Sequence, residues 1–413
     1  MKKKIYVKGP VLSQSGYGEQ SRFALRALRS REDLFDIYIQ PIPWGQTGWI
    51  WEDNEFRNWI DQRIIMTAEL TSQKKLQPDM SLQITIPNEF EKICPMNIGY
   101  TAGIETDKVS PQWLQKSNEM NRILVVSNHA KETFQNTVYQ AQNNNTGEVF
   151  DYRLMAPVDV VWESTPFHES ESIENFELET DFNFLMVSQV SPRKNFVNSL
   201  RWWIEEFIDQ EVGLVLKCNM KCNSIMDYEM FHSSIKKVID DYPDRSCKIY
   251  ILHGDLSAGQ MTSLYTHPKI KAIVNIAHGE GFGLPLYEAA RSALPVITIG
   301  WSGQTDFLRH EETNYFEEVK HTLQKVQPQV VWDGVIQADS QWAYADQGSY
   351  KMALRRTFKT WHKSKERAEK LKTIIDDKFS DEKLYKLFVD SVLGFDSDII
   401  NFSNEESEVM EFD

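Results

Sequence analysis

Cysteine, long apolar runs, excess positive charge and a dinucleotide-binding glycine motif are all scarce or missing in this chain, and each shortage removes a class of function. The four cysteines, Cys94, Cys218, Cys222 and Cys247, show no paired metal spacing. Cys218 and Cys222 stand four apart, but no second Cys or His pair follows to complete a zinc set. Buried free thiols in a reducing compartment are expected instead, and with them a cytoplasmic location. No run approaches the roughly twenty apolar residues of a membrane span. Behind Met1-Lys2-Lys3-Lys4 the apolar stretch 5–7 is only strand-length before Gly9-Pro10, so neither a signal peptide nor a transmembrane segment is expected. Acids outnumber bases by 60 to 45, a formal charge of −15. Such a surface repels polyanions at long range and argues against a dedicated nucleic-acid binder. The first glycine loop departs from G-x-G-x-x-G, which argues against a nicotinamide dehydrogenase. Asp396-Ser397-Asp398 has the letters of a metal-binding D-x-D, but it lies in a polar tail and follows no strand.

What is present is the composition of a globular enzyme, 41% hydrophobic and 12% aromatic, in 413 residues that suffice for two domains of ordinary size. Residues 4–7 read as a strand. They run into a glycine-bearing loop, Gly9 to Gly18, and then into a helix in which Phe23, Ala24, Ala27 and Leu28 recur at helical spacing. Strands follow at 34–40, 82–86, 98–102 and 123–127, the last leading into a helix capped by Ser127 or Asn128. Between them, residues 41–59 carry Trp44, Trp49, Trp51 and Trp59 around Gly45 and Gly48. These rings suit either a platform for sugar CH faces or a hydrophobic cover for the first domain. After the polar loop 140–147, which includes the sequon Asn144-Asn145-Thr146, and a strand at 158–161, residues 164–180 turn acidic and irregular. The domain boundary is expected there, giving a first domain at 1–175, a second at 176–378, and a closing helix with an acidic tail at 379–413. The second domain alternates strands at 182–190, 213–217, 248–253 and 270–277 with helices at 196–207, 225–240 and 257–265. That alternation is the pattern of an open parallel sheet, whose ligand lies beyond the carboxyl ends of the strands. One long helix is expected over 349–375 and another over 381–392. Nine bases lie between Lys351 and Lys372, and they read as a solvated helix face.

The most informative stretch is 275–307, NIAHGEGFGLPLYEAARSALPVITIGWSGQTDF. An apolar run ends in a turn punctuated by Gly279, Gly281 and Gly283, and a helix begins near Leu284 or Pro285. A strand, a glycine turn and a helix N-terminus aim free N–H groups at one point, which suits an anion. Glu280 and Glu288 flank the turn. Acids beside a phosphate make sense where they accept hydrogen bonds from hydroxyls, as a sugar and a ribose provide.

EGFGLPLYEA, with Glu280 and Glu288 separated by seven residues and followed by Ala293-Leu294-Pro295-Val296 and the Gly300 to Gly303 turn, resembles the E-x7-E signature of retaining GT-B glycosyltransferases, especially the GT4 family. The resemblance implies an α/β fold of two Rossmann-like parallel-sheet domains facing across a cleft, with a C-terminal helix crossing back to the first. It implies transfer of a sugar from a nucleotide-diphosphate sugar, retaining and without a metal or other cofactor. The acceptor is left open among a glycan, a lipid-linked sugar, a small molecule and a modified nucleic acid, and so is the oligomeric state. By the same resemblance Lys194 and Arg193 neutralise the leaving diphosphate, although Gln189 stands where the family usually has an arginine. Glu280 holds the sugar, Glu288 the ribose, and Glu105 orients an acceptor hydroxyl. Gly16, Gly18, Gln189, His253, Gly281, Phe282, Gly283 and Leu284 are the further donor-binding positions. A non-catalytic carbohydrate-binding protein of the same fold is the alternative that Gln189 favours.

Overall fold

The structure is a computed structural model that describes residues 2–142 and 147–394. The sequon, Asp396-Ser397-Asp398 and the acidic tail lie outside those residues. Two six-stranded sheets carry the fold. The first contains β1 (Lys3–Gly9), β2 (Phe35–Pro41), β3 (Met80–Ile84), β4 (Met96–Thr101), β5 (Arg122–Val125) and β6 (Val158–Val160), in the order 2-1-3-4-5-6. The second contains β7 (Asn183–Gln189), β8 (Gly213–Asn219), β9 (Lys248–Ile251), β10 (Ile270–Asn275), β11 (Val296–Ile299) and β12 (Glu317–Val319), in the order 9-8-7-10-11-12. Every neighbouring pair in both sheets is parallel. Parallel strands are covered by helices on both faces, so all five residues of β3 are buried, the polar Ser81 and Gln83 included.

Helices begin where the sequence offers a side-chain acceptor. Ser15, Ser110, Ser127, Ser224, Ser257 and Ser380 each accept from a backbone N–H in the first turn that follows. Ser257 and Gln260 complete a reciprocal capping box. The helix expected over 349–375 is two helices, Gln347–Lys359 and Trp361–Lys378, broken at Thr360. The break lets Trp361 donate to the Lys271 carbonyl and lie under the Lys271 ammonium, a contact that a straight helix would forgo. Several of the bases of that stretch are paired: Arg356 and Arg367 meet on buried Glu317, Lys351 meets Glu205 and Arg355 meets Glu206.

The last helix, Asp381–Leu393, crosses back to the first domain. Phe388 packs edge-on against Phe23 and beside Tyr100, and Asp381 accepts from Ser164. A second crossing was not legible in the sequence. The antiparallel pair His321–Lys325 and Gln341–Ala345 extends from the second domain. Its connecting loop, residues 326–340, reaches over to the first domain and buries Val335 among Ile104, Val109, Trp113 and Leu114. Ser110 donates to the Gly334 carbonyl, Lys108 pairs with Asp339, and Asp107 and Gln341 exchange two hydrogen bonds. We call this loop the clasp.

Candidate active site

In the second sheet, β7 and β10 lie side by side while their connections run off in opposite directions, so their carboxyl ends flank a topological switch point. From β7 the chain enters a short 3-10 turn, Pro192–Lys194, which ends on Asn195 in the left-handed region at φ 50°. From β10 it enters the glycine turn. The two turns present Arg193 and Lys194 to Glu280. Lys194 Nζ donates to both carboxylate oxygens at 2.6 and 2.7 Å, Arg193 Nη1 donates to Oε2 at 3.2 Å, and Asn275 Nδ2 donates to Oε1 at 2.8 Å. The backbone N–H of Glu280 is held by Ser302 Oγ at 2.9 Å, and Ser302 in turn donates to Gln304. Glu280 is only 5% exposed. Burial alone would raise its pKa, but the charges of Lys194 and Arg193, with the bonds from Lys194 and Asn275, outweigh it and bring the group down to about 2. Glu280 is therefore a fixed carboxylate whose lone pairs are already taken. Arg193 makes its contacts through Nη1, and its Nε and Nη2 take no hydrogen bond among the described residues. Its own pKa is raised: burial works against the charge, and Glu105 and Glu280 overcome it.

The three glycines of the turn have different reasons. Gly283 alone takes a positive φ, 95°, at the start of the helix Leu284–Arg291. Gly279 and Gly281 are there because backbone approaches backbone. A Cβ on Gly279 would lie 2.6 Å from the Glu105 carbonyl, and one on Gly281 would lie 2.7 Å from that of Ala102. The expected gap between the domains is thus closed at this turn, since residues 102–105 of the first domain rest on it. The N–H groups of Gly281, Phe282, Gly283 and Leu284 still take no part in the hydrogen bonds of the described residues.

Of the other expected positions, Glu105 joins the cluster, its carboxylate 3.1 Å from Arg193 Nη1 across the domain boundary. Glu288 faces a different neighbourhood. It accepts from Tyr265 Oη at 2.9 Å, and its pKa is raised to about 7, first by burial and then by Glu19, against the effects of Tyr265, Thr165 and Arg291. Gln189 is exposed and reaches the Lys221 carbonyl at 3.3 Å. His253 is turned inward, donating from Nε2 to buried Asp227 at 2.9 Å between Tyr228 and Phe231. Gly16 and Gly18 open the first helix. A Cβ on Gly18 would strike the Ser13 carbonyl, whereas Gly16 faces open space.

Three features of the site carry no signature in the sequence. His278 stacks on Trp342 at 4.7 Å and donates from Nδ1 to the Ala343 carbonyl, tying the glycine turn to the strand that leaves the clasp. Asp306 accepts from the Asn128 backbone and side chain and from Trp162 Nε1, at 2.8 to 3.0 Å, joining the two domains beyond β5 and β11. Glu163 is buried in the segment between the sheets, and its Oε2 has no hydrogen-bond partner. Burial first, and then Glu19, push Glu163 up to about 8 against the pull of Arg26. A lone polar residue at the end of an apolar strand, as at Asn275, was the one available hint to the support of Glu280. Two concavities lie away from this cluster, one of about 130 Å³ between Trp162, His310, Lys378 and Phe379, the other an open depression beside Met226 and Met230. Among the described residues no three of His, Cys, Asp and Glu converge to hold a metal ion, and no helix is long and apolar enough to cross a membrane.

No family model matches the chain. Over 203 residues it is 26% identical to the serotype-specific mannosyltransferase WbdA of Escherichia coli, a stretch that covers 47% of this chain and 23% of that protein. The chain thus spans less than a quarter of that relative's length. The whole fold superposes on solved structures of low identity. One is the Anabaena protein HepE in complex with UDP and glucose, with a TM-score of 0.56 and 10% identity over 95% of this chain and 100% of that one. Another is sucrose-phosphate synthase from Thermosynechococcus elongatus, with a TM-score of 0.61 and 11% identity over 95% and 99%. The chain has the GT-B fold: two Rossmann-like domains set strand end to strand end, with the last helix returned to the first.

Proposed function

We propose that the chain is a glycosyltransferase that moves a sugar from a nucleoside-diphosphate sugar to an acceptor hydroxyl, of the GT4 kind, with retention at the anomeric carbon. In this reading protein cations, with no metal ion, meet the diphosphate. Residues 1–175 would form the acceptor side, 176–378 the donor side, and the reaction would run in the cytoplasm. The observation that carries the proposal is the meeting of Lys194 and Arg193 at the switch point on a carboxylate held ionised at neutral pH, next to a turn whose four N–H groups take no hydrogen bond among the described residues.

The chemistry follows from charge. The bond between the anomeric carbon and the phosphate oxygen breaks, its electron pair leaves with the diphosphate, and positive character builds on the sugar ring. Lys194 and the free Nε and Nη2 of Arg193 suit the growing negative charge. Once the diphosphate draws Lys194, lone pairs of Glu280 become available to sugar hydroxyls, so a single ion pair would serve both halves of the donor. Glu288 would take the ribose hydroxyls, and Glu105 an acceptor hydroxyl. Donor entry requires residues 102–105 to lift from Gly279 and Gly281.

Release of nucleoside diphosphate from GDP-mannose, UDP-glucose and ADP-glucose, measured with and without EDTA, tests the reading. Release from at least one donor, insensitive to EDTA, supports it. A thermal shift with a donor but no release from any of them favours the non-catalytic binding protein, for which exposed Gln189 in place of an arginine is the motive.

A further inference from the structure

The domains are joined unevenly. On the β5 and β11 side Asp306 and the clasp bridge them, and at the centre Glu105 meets Arg193. At the opposite edge, beyond β2 and β8, one side-chain bond among the described residues spans the gap, from Lys221 Nζ to Gln46 Oε1 at 2.8 Å. Gln46 belongs to the tryptophan-rich loop, and the structure separates the four rings. Trp59 is buried in the helix Glu55–Ser72 and donates to Glu32, so it is cover. Trp44 lies 4.4 Å from the Tyr17 ring, and Tyr17 Oη accepts from the N–H of Ala102, the residue that rests on Gly281. Trp49 and Trp51 point to solvent, 64% and 98% exposed. They do not dangle. Gln14 donates to the Gly48 carbonyl, Ile50 to that of Leu12 and Arg57 to that of Ile50, and Ser13 bridges Trp49. Two indoles held in solvent by an ordered backbone expose apolar surface that folding alone does not explain.

We propose that Trp49 and Trp51 form a stacking site for an oligosaccharide, and that the acceptor is a glycan chain entering by this edge with its end directed along Trp44 and Tyr17 toward Glu105 and Glu280. The inference deepens the transferase reading and rests on it for the word acceptor. Three observations favour a glycan. Two flat faces stand in solvent on the same loop as Trp44, from which direct contacts through Tyr17 and Ala102 lead to the glycine turn. Acceptors and donors of hydrogen bonds, Gln46, Thr47, Glu52 and Asp53, are interleaved with the rings, as a sugar's mixed CH faces and hydroxyls require. The same two acids beside Trp51, on a chain of charge −15, oppose insertion into an anionic membrane, where a tip of aromatics flanked by bases would be expected.

The test is calorimetric titration of the full chain with maltotriose and with α-mannotriose, alongside a thermal-shift measurement with nucleotide sugars. We expect the wild-type protein to bind one of the trisaccharides. Trp51→Ala should weaken that binding about tenfold, the scale of one lost ring contact of roughly 1.4 kcal/mol. Trp49→Ala/Trp51→Ala should abolish it, and Trp51→Phe should keep most of it. Unchanged thermal midpoints would show that each variant folds, since neither ring packs inside. Binding of neither trisaccharide by wild type, equal binding by the double variant, or binding of phosphatidylcholine–phosphatidylglycerol vesicles that the double variant loses, overturns the proposal. If no nucleotide sugar shifts the wild-type midpoint, the transferase reading fails separately, and the titration still decides whether the stacking site exists.

Discussion

The two edges of the contact between the domains are built differently. At the clasped edge the second domain plants Val335 in an apolar cluster of the first, and Asp306 takes three hydrogen bonds from Asn128 and Trp162. At the tryptophan edge an exposed lysine and an exposed glutamine meet through one bond. Burial of apolar area and buried charge-assisted bonds each contribute on the order of 1–3 kcal/mol, whereas an exposed polar contact contributes a few tenths. The difference teaches which edge holds and which opens. In the transferase reading a donor would part residues 102–105 from the glycine turn, with the domains swinging at the weak edge and the clasp and Asp306 as the pivot.

Four changes would break or sharpen that contrast, here from the largest effect to the smallest. Lys194→Ala removes the shortest ion pair of buried Glu280, leaving only Arg193 and Asn275 on the carboxylate, and should cost about 3–5 kcal/mol in denaturant unfolding as well as turnover. Adding Glu280→Gln should restore much of the stability and none of the turnover; full activity in Lys194→Ala would remove the residue from the mechanism. At the clasp, Val335→Asp places a charge in the first domain's cluster and should cost about 3 kcal/mol. A larger radius of gyration in solution scattering and cleavage within 326–340 would show that the pivot has been lost, and an unchanged profile would deny the clasp that role.

The third is a pH effect. Glu163 is raised in the folded chain from 4.5 to about 8, and Glu288 and Asp306 are raised to about 7 and about 6, each by burial first. A raised carboxyl stabilises the fold fully below its unfolded value, and that contribution is lost as pH rises through the folded value. Thermal stability should therefore fall between about pH 5 and pH 8. Glu163→Gln should flatten this slope by roughly 2–3 kcal/mol, raising the midpoint near pH 8 and leaving it alone near pH 5. Equal gains at both pH values would mean that Glu163 does not titrate in that window. Glu280 has the opposite sign, and its contribution is lost only as pH drops toward 2. The smallest effect is at the open edge, where Lys221→Ala should cost under about 0.5 kcal/mol. A loss like that of Val335→Asp would erase the distinction between the edges.

Strands, the glycine turn and most helix starts were legible, because each depends on residues close in sequence. Alternation marked the strand at 82–86, an almost unbroken apolar run marked β10, Ser127 marked one cap, and Pro285 behind Gly283 marked the signature helix. The break at Thr360 has no local signal, and the bond it allows joins Trp361 to distant Lys271. The helix Glu55–Ser72 was hidden because so few of its residues are buried: Trp59, Ile60 and Thr67. Gly279 and Gly281 were noticed for the right turn and an incomplete reason, since the backbone they accommodate lies in the other domain.

By itself the sequence determined the local conformations and the inventory of charged groups near the turn, because hydrophobic period, capping and backbone freedom act over a few residues. Tertiary structure alone decided which charges meet: that Lys194 and Asn275 hold Glu280, that Arg193 reaches Glu105, that Oε2 of Glu163 is buried without a hydrogen bond, and that the clasp closes one edge while two indoles stand at the other. Those outcomes depend on how two separately wound sheets come to face each other. The residues concerned are brought together across large sequence separations, where no local pattern records the partner.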